Sequence, residues 1–382
     1  MKEYLRFETE LFMRDRKNGF LFLGVALFLI GLLFYIPYQQ VNDIYNKTQN
    51  ELHTVRNTIT SFPVHIVEEA PDRFPVYSDV LKESQLIGNQ EVALTFYDDL
   101  EQYTSVGIEL AETRIQAHEK GYESFNQNFY VPLEHSLREA VYYQALEDQN
   151  QTIERDAQSS STYLVLAITA FSSVFFIFLL LLTSDILTKD NAHHTIIQAY
   201  PINESQRLLG KLLVYLFTTM LVLTGLFGLA YIGSLLLFDA GSMQYPRVIY
   251  TLSGYEAVST GQFILKSLLI SAGFVIHTIL LAAVLNSFLK NRYLTLFFGS
   301  SFLLISFLFS GEWGNLAYTP ISYLNPIAVL TGIAREHFGQ SGIVYSRAIL
   351  IYSLWSLIYL IILSIYFSKK HRLSTSHKEG GE

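Results

Sequence analysis

Apolar and polar residues alternate along this chain in whole segments. Apolar runs cover Phe20 to Tyr38, about Tyr163 to Leu182, Leu208 to Phe238, Phe263 to Leu289, Tyr293 to Ser310 and Ala348 to Phe367. A helix needs about 20 apolar residues to cross a bilayer, so the pattern predicts six membrane spans. A long polar insert, residues 39–161, separates the first run from the second. In it Val41, Tyr45, Thr48, Leu52, Val55, Ile59 and Phe62 recur at spacings of four and three. That seam belongs to a helix continuing outward from the first span and packing along a neighbour. Pro63, Pro71 and Pro75 break the chain into a connector. Val76 to Glu119 and Tyr122 to Gln158 again read as mostly helical, with Gly121 as punctuation and the last helix leading straight into the second span.

Two shorter patterns complete the outline. Residues 1–19 set Tyr4, Leu5, Phe7, Leu11 and Phe12 on one helical face beside Lys2, Arg6, Arg14, Arg16 and Lys17. This reads as a basic amphipathic helix lying along the membrane, the alternative being a charged flank that only sets orientation. Pro320 to Ile333 is apolar but interrupted by Pro320, Pro326 and Gly332, and is too short to cross. Broken backbone at membrane depth needs protein or a wet cavity around it, so residues 320–338 read as a re-entrant or surface-lying pair of short helices. The expected fold class is therefore all-α, a polytopic membrane helix bundle of six spans with a helical, coiled-coil-like insert. Its parts are an interfacial helix (1–19), a first span (20–38), the insert (39–161), a membrane domain (162–368) and a basic tail (369–382).

Composition agrees with this class. Half of the residues are hydrophobic and 16% are charged, against about 25% charged in a soluble domain. The net charge of −8 is unevenly divided: the insert holds 21 Asp and Glu against 8 Lys and Arg, leaving the remainder basic. With no cysteine, the chain has no disulfide framework, thiolate metal site or thiol nucleophile. The first apolar run lacks a small-x-small cleavage site and exceeds a signal-peptide core, so it reads as retained.

Orientation follows from Lys and Arg. With the N-terminus inside, the inner segments carry 14 of them, while the two short outer loops carry Arg247 and Arg335, with Lys266 and Arg347 at their edges. The expected topology has both termini cytoplasmic, the insert extracellular and the chain in the cell membrane among its lipids.

The chemistry that can be sought by motif is sparse. Gly210-Lys211 is followed by Leu212 and lacks the upstream glycine of a phosphate-binding loop. No zincin motif and no Ser/His/Asp spacing occurs, so the chain is not read as an enzyme. His193 and His194 are adjacent, about 100° apart on a helix, and read as surface rather than as a metal pair. His277 lies near the middle of the fourth run, either hydrogen-bonded within the bundle or forming an intramembrane polar site. Aromatic residues of the insert, such as Phe96, Tyr103 and Tyr143, read as its core, a ligand surface being the alternative. The longest polar interval outside the insert is residues 183–211, TSDILTKDNAHHTIIQAYPINESQRLLGK, expected on the cytoplasmic side between the second and third spans.

These features resemble the permease subunit of the type-2 ABC exporter class. The resemblance rests on the amphipathic N-terminal helix, the six spans and the loop, where Pro201, Arg207, Gly210 and Lys211 stand in the order the family shows before its third span. PISYLNPIAVLTG, Pro320 to Gly332, looks like the family's re-entrant segment. The likeness covers about two thirds of the chain. Two departures are His193-His194, where many members have an acidic residue and a Gly-Thr pair, and the large insert, found in part of the family. The resemblance implies an exporter of an amphiphilic peptide, lipid or drug. A separate ABC ATPase subunit would carry ATP and Mg, so no cofactor is expected on this chain, and a second copy or related permease would complete a dimer. The ATPase would dock on loop 183–211, with Ile196, Ile197 and Tyr200 as apolar anchors, Lys189, Asp190, Glu204 and Arg207 as polar rim, and Pro201 and Lys211 in the motif.

Other readings of the same residues are a loop that is merely solvated, a sensor or scaffold whose insert binds a ligand or envelope component, an ion-coupled carrier, and a mechanical ABC permease. No nucleic-acid partner is expected. The short tail from Ser368 offers no output domain for a sensor, the spans hold few charges for a carrier, and six spans differ from the four usual in a mechanical permease.

Overall fold

The computed structural model describes residues 2–62, 74–122, 131–189, 202–308 and 316–379. In chain order the main elements are α1 (Lys2–Arg14), α2 (Arg16–Tyr38), α3 (Ile44–Ser61), α4 (Tyr77–Val92), α5 (Leu100–Glu119), α6 (Leu133–Asp148), α7 (Ser160–Thr183), α8 (Glu204–Ser234), β1 (Pro246–Thr251), β2 (Gly254–Ser259), α9 (Thr260–Leu289), α10 (Arg292–Leu308), α11 (Pro326–Thr331), α12 (Ile333–Phe338) and α13 (Tyr345–Glu379).

Five of these helices, α2, α7, α8, α9 and the apolar part of α13, are long and apolar enough to cross a membrane. The chain is a multi-pass membrane protein. The fifth apolar run forms α10, whose 17 residues extend roughly 25 Å at 1.5 Å per residue, short of the ~30 Å hydrocarbon core.

The helix starts are set by short polar residues that accept from orphan backbone N–H groups. Asp15 caps α2 through Lys17 N at 2.8 Å, and Ser159 caps α7. Capping boxes, Asn203 with Gln206 and Ser259 with Gln262, open α8 and α9. The centre of the bundle is α9: 61% of its apolar stretch is buried, against 22% for α2 and for α8. Its neighbours are α7, α8, α10, α11 and α13. Gly299 of α10 lies so close to Leu180 of α7 that an added Cβ would stand 2.9 Å from Leu180 Cδ2. Helix association in lipid depends on such close packing more than on hydrophobic transfer.

Residues 320–338 form a 3₁₀ turn (Pro320–Tyr323) followed by α11 and α12, separated at Gly332 with φ 84°. The backbone there is enclosed: Ile327, Val329 and Leu330 are buried. Asn325 caps α11 and accepts from Ser172 Oγ at 2.6 Å, and Ile327 N donates to the same hydroxyl at 3.2 Å. Ser172 lies midway along α7, so side-chain oxygen satisfies backbone that a broken helix leaves open.

The insert departs from the expected continuous rods. Pro37 sits in the last turn of α2, and Gln40 and Asn42 adopt left-handed backbone, so α3 starts as a separate helix capped by Asp43. Its buried seam is Ile44, Thr48, Leu52, Val55 and Thr58; Tyr45 is exposed. A π-helical turn at Ala93–Tyr97 and left-handed Asp98 divide the expected long helix into α4 and α5. At the far end α6 stops at Asp148, left-handed Asn150 follows, and non-helical chain leads to the Ser159 cap. Asn and Asp tolerate this backbone better than most residues. The insert therefore joins the bundle through two non-helical links.

Among the described residues, the exception to an all-α description is the antiparallel hairpin β1–β2, with Thr251 opposite Gly254. It lies between α8 and α9 and packs against α6 and α11, placing a rigid two-stranded wedge between insert and bundle. Arg335 of α12 holds Glu134 of α6 at 2.8 Å and lies 4.6 Å from the Tyr250 ring centroid.

Candidate coupling site

The segment after α7, the start of α8 and the N-terminal helix come together at the end of the bundle opposite the insert. Helix α1 packs along α8 with Tyr4 and Phe12 buried, and Phe12 meets Tyr215 edge-on at 4.9 Å. The close approach is made by Gly210, where an added Cβ would lie 2.8 Å from Tyr4 Cε1. The next residue, Lys211, lies 3.2 Å from Glu8 Oε1, and Tyr4 Oη donates to that oxygen at 2.6 Å. Gly-Lys at this position is thus a packing motif: the glycine admits a ring, and the lysine neutralises a carboxylate.

A second group of charges closes the elbow between α1 and α2. Lys17 Nζ donates to Asp185 Oδ1 at 2.7 Å and to Leu182 O at 3.1 Å. Lys189 pairs with Asp15 and lies 3.5 Å from Asp185 Oδ2. Two carboxylates and two ammonium groups form a neutral ring. Burial alone would raise the Asp15 pKa, but hydrogen bonds from Lys189 and the Lys17 backbone, with both positive charges, hold it below the usual range. Asn286 of α9 extends the ring inward, donating to Ser184 O at 2.6 Å and Thr295 Oγ1 at 2.8 Å.

The expected site residues separate into two groups. Lys189 and Lys211 turn inward and bind the N-terminal helix and its elbow. Glu204 and Arg207 are half-buried on the first two turns of α8. Asp190, Ile196, Ile197, Tyr200, Pro201 and the His193-His194 pair lie outside the described residues. No described group of three His, Asp or Glu side chains could hold a metal ion.

His277 is buried in the middle of α9, with ring centroids 5.6 Å from Tyr352 and 5.4 Å from Tyr359. Neither ring nitrogen has a hydrogen-bond partner among the described residues. Nearby, an apolar cavity of about 190 Å³ opens between α7, α8 and α9, lined by Phe171, Phe175, Phe227 and Leu268, with Ser267 and Ser271 on one wall.

In the insert, the aromatic residues surround a buried ion cluster. Arg114 donates to Glu83 (2.7 Å), Glu51 (2.8 Å) and Glu139 (3.1 Å), while Lys47 donates to Glu139 at 2.5 Å. Tyr122 Oη donates to Glu83 at 3.0 Å. Phe96 and Tyr97 are exposed rather than part of this core. The buried arginine escaped the sequence reading because its three partners lie on three different helices.

Neither a protein-family profile nor a curated protein matches the chain.

Proposed function

We propose that this chain is the membrane-spanning permease subunit of an ATP-driven exporter of the type-2 ABC class, moving an amphiphilic peptide, lipid or drug. In this reading α10 also crosses the membrane, as the fifth of six spans, both termini are cytoplasmic and the insert is outside. A separate ATPase subunit docks on the loop between α7 and α8. The observation that supports it best is the way α1, the end of α7 and the start of α8 are tied by the Glu8–Lys211 pair and the ring of Asp15, Lys17, Asp185 and Lys189. A push on that loop would reach α2, α7 and α8 together, because all three share these ties. An apolar helical face filling a groove on a soluble domain would supply the contact. A dimer with a second permease completes the arrangement.

The test is co-purification of an ATPase subunit with the full chain in detergent. Replacing Ile197 and Tyr200 by Asp should abolish recruitment while leaving the permease folded. Unchanged recruitment and transport in that variant would remove the docking assignment. A sensor or scaffold reading is favoured by one feature, the cavity where the insert meets the bundle, and would show ligand binding with no associated ATPase.

A further inference from the structure

Where the insert meets the bundle, a cavity of about 570 Å³ opens between α6, the chain before α7, the first turns of α7, β1 and the start of α12. Leu166, Val248 and Ile333 give it an apolar side beside the start of a membrane helix. Six charged side chains also face it, Lys47, Arg138, Glu139, Glu154, Asp156 and Arg247, and most of that charge is already answered. Glu139 accepts from Lys47 and Arg114. Glu154 accepts from Ser159 Oγ at 2.8 Å and from Thr162, and lies 3.7 Å from Arg247. Asp156 accepts from the backbone and side-chain amides of Gln158 at 2.8 and 2.9 Å. Lys47 has Glu51 and Glu139, and Arg247 has Glu154 with the hydroxyls of Thr162 and Thr260.

Arg138 differs. It lines the cavity and makes no hydrogen bond or ion pair with any described residue. The carboxylates nearest it are Glu134, one turn earlier on α6 and held by Arg335, and Glu336 of α12, which feels its charge from beyond ion-pair distance. His135, three residues earlier and so on the same helical face, has a buried Nδ1 with no hydrogen-bond partner among the described residues, 3.9 Å from Glu139. An always-charged guanidinium with five donors and a neighbouring imidazole thus stand over an apolar wall at the start of α7.

We propose that this cavity binds one amphiphile with an anionic head, a phosphate or a carboxylate. The head sits on Arg138 and His135, and the tail runs along Leu166, Val248 and Ile333. Planar guanidinium donors match such oxyanions in a bidentate way. The volume lies within the roughly 300–1,000 Å³ of small-molecule sites. This assignment needs only that α7 crosses the bilayer, so it is independent of the transport reading.

The experiment is native mass spectrometry of the full-length protein in detergent with added phosphatidylglycerol, phosphatidylcholine or inorganic phosphate. One phosphatidylglycerol should be retained about tenfold more tightly than phosphatidylcholine, and Arg138→Gln should remove roughly that factor. Arg138→Lys should keep part of it. Equal retention of the two lipids, or wild-type retention by Arg138→Gln, overturns the proposal. Displacement of the lipid by an equal concentration of inorganic phosphate overturns the tail assignment. Should Arg138→Gln fail to fold, Leu166→Gln tests the tail wall separately, with weaker retention of phosphatidylglycerol expected and wild-type retention counting against it.

Discussion

Lys211 Nζ stands 3.2 Å from Glu8 Oε1, each side chain only 3% exposed, joining the N-terminal helix to α8 across 203 positions of sequence. Removing one member of such a buried pair leaves an uncompensated charge, at a cost of about 3–5 kcal/mol. Lys211→Met and Glu8→Leu should each lower the thermal midpoint in detergent. The double variant should recover most of the loss, because an apolar pair of similar volume is often neutral or stabilising. Additive losses in the double variant would show that the two side chains do not depend on each other.

Gly210 supplies the space for the Tyr4 ring, and a Cβ there would stand 2.8 Å from it. Gly210→Ala should cost about 1–3 kcal/mol through overpacking and speed amide exchange in α1. In Gly210→Ala/Tyr4→Ala the loss should be smaller than the sum of the single losses. Unchanged exchange in α1 after Gly210→Ala would refute the contact.

Glu139 gives the insert an acid limit. Burial would raise its pKa, but Lys47 and Arg114 outweigh it and hold the carboxyl down at about 2, below its ordinary value of 4.5. The unfolded chain therefore binds the proton first as pH falls. The stability contributed by Glu139 is complete above about pH 4.5 and is lost as pH falls toward 2. Amide exchange in α6 should accelerate across that window. Lys47→Met should move the loss to higher pH, and an unchanged profile would contradict the assignment.

His277 has no hydrogen-bond partner for either nitrogen among the described residues and packs between two tyrosines. His277→Phe removes both polar atoms in favour of an apolar ring, so stability should hold or rise by about 1 kcal/mol. The thermal midpoint of the purified variant decides this. A clear fall would mean that the imidazole finds partners in another arrangement of the bundle.

The apolar runs were legible in the sequence because a bilayer demands long uninterrupted segments, and α2, α7, α8, α9 and α13 follow from that demand alone. The hairpin was not, although VIYT and YEAVS flank a Ser-Gly turn. The 25 residues between α8 and α9, positions 235–259, resemble an ordinary loop until α6 is known to rest on them. Gly210-Lys211 was conspicuous for its residue types, but its structural partners, Tyr4 and Glu8, lie far away in sequence, and no local periodicity connects them. In the insert, the heptad-like seam located α3. Its break from α2 depended on Pro37 and two left-handed residues whose backbone no residue pattern declares. The docking anchors Ile197 and Tyr200 rest on residue type and resemblance.

The two links of the insert also meet each other. Ile44 N donates to Arg155 O at 2.8 Å and Ala157 N to Val41 O at 3.1 Å, so the chain leaves and re-enters the bundle through one stitched gate. A segment whose entry and exit lie side by side behaves as a cassette: a short turn can replace it without pulling α2 and α7 apart. Its removal would still expose Tyr245, Arg247 and Arg335, which touch it from the bundle side. The membrane helices can therefore tolerate exchange of the insert in length and sequence, provided its replacement covers those three side chains.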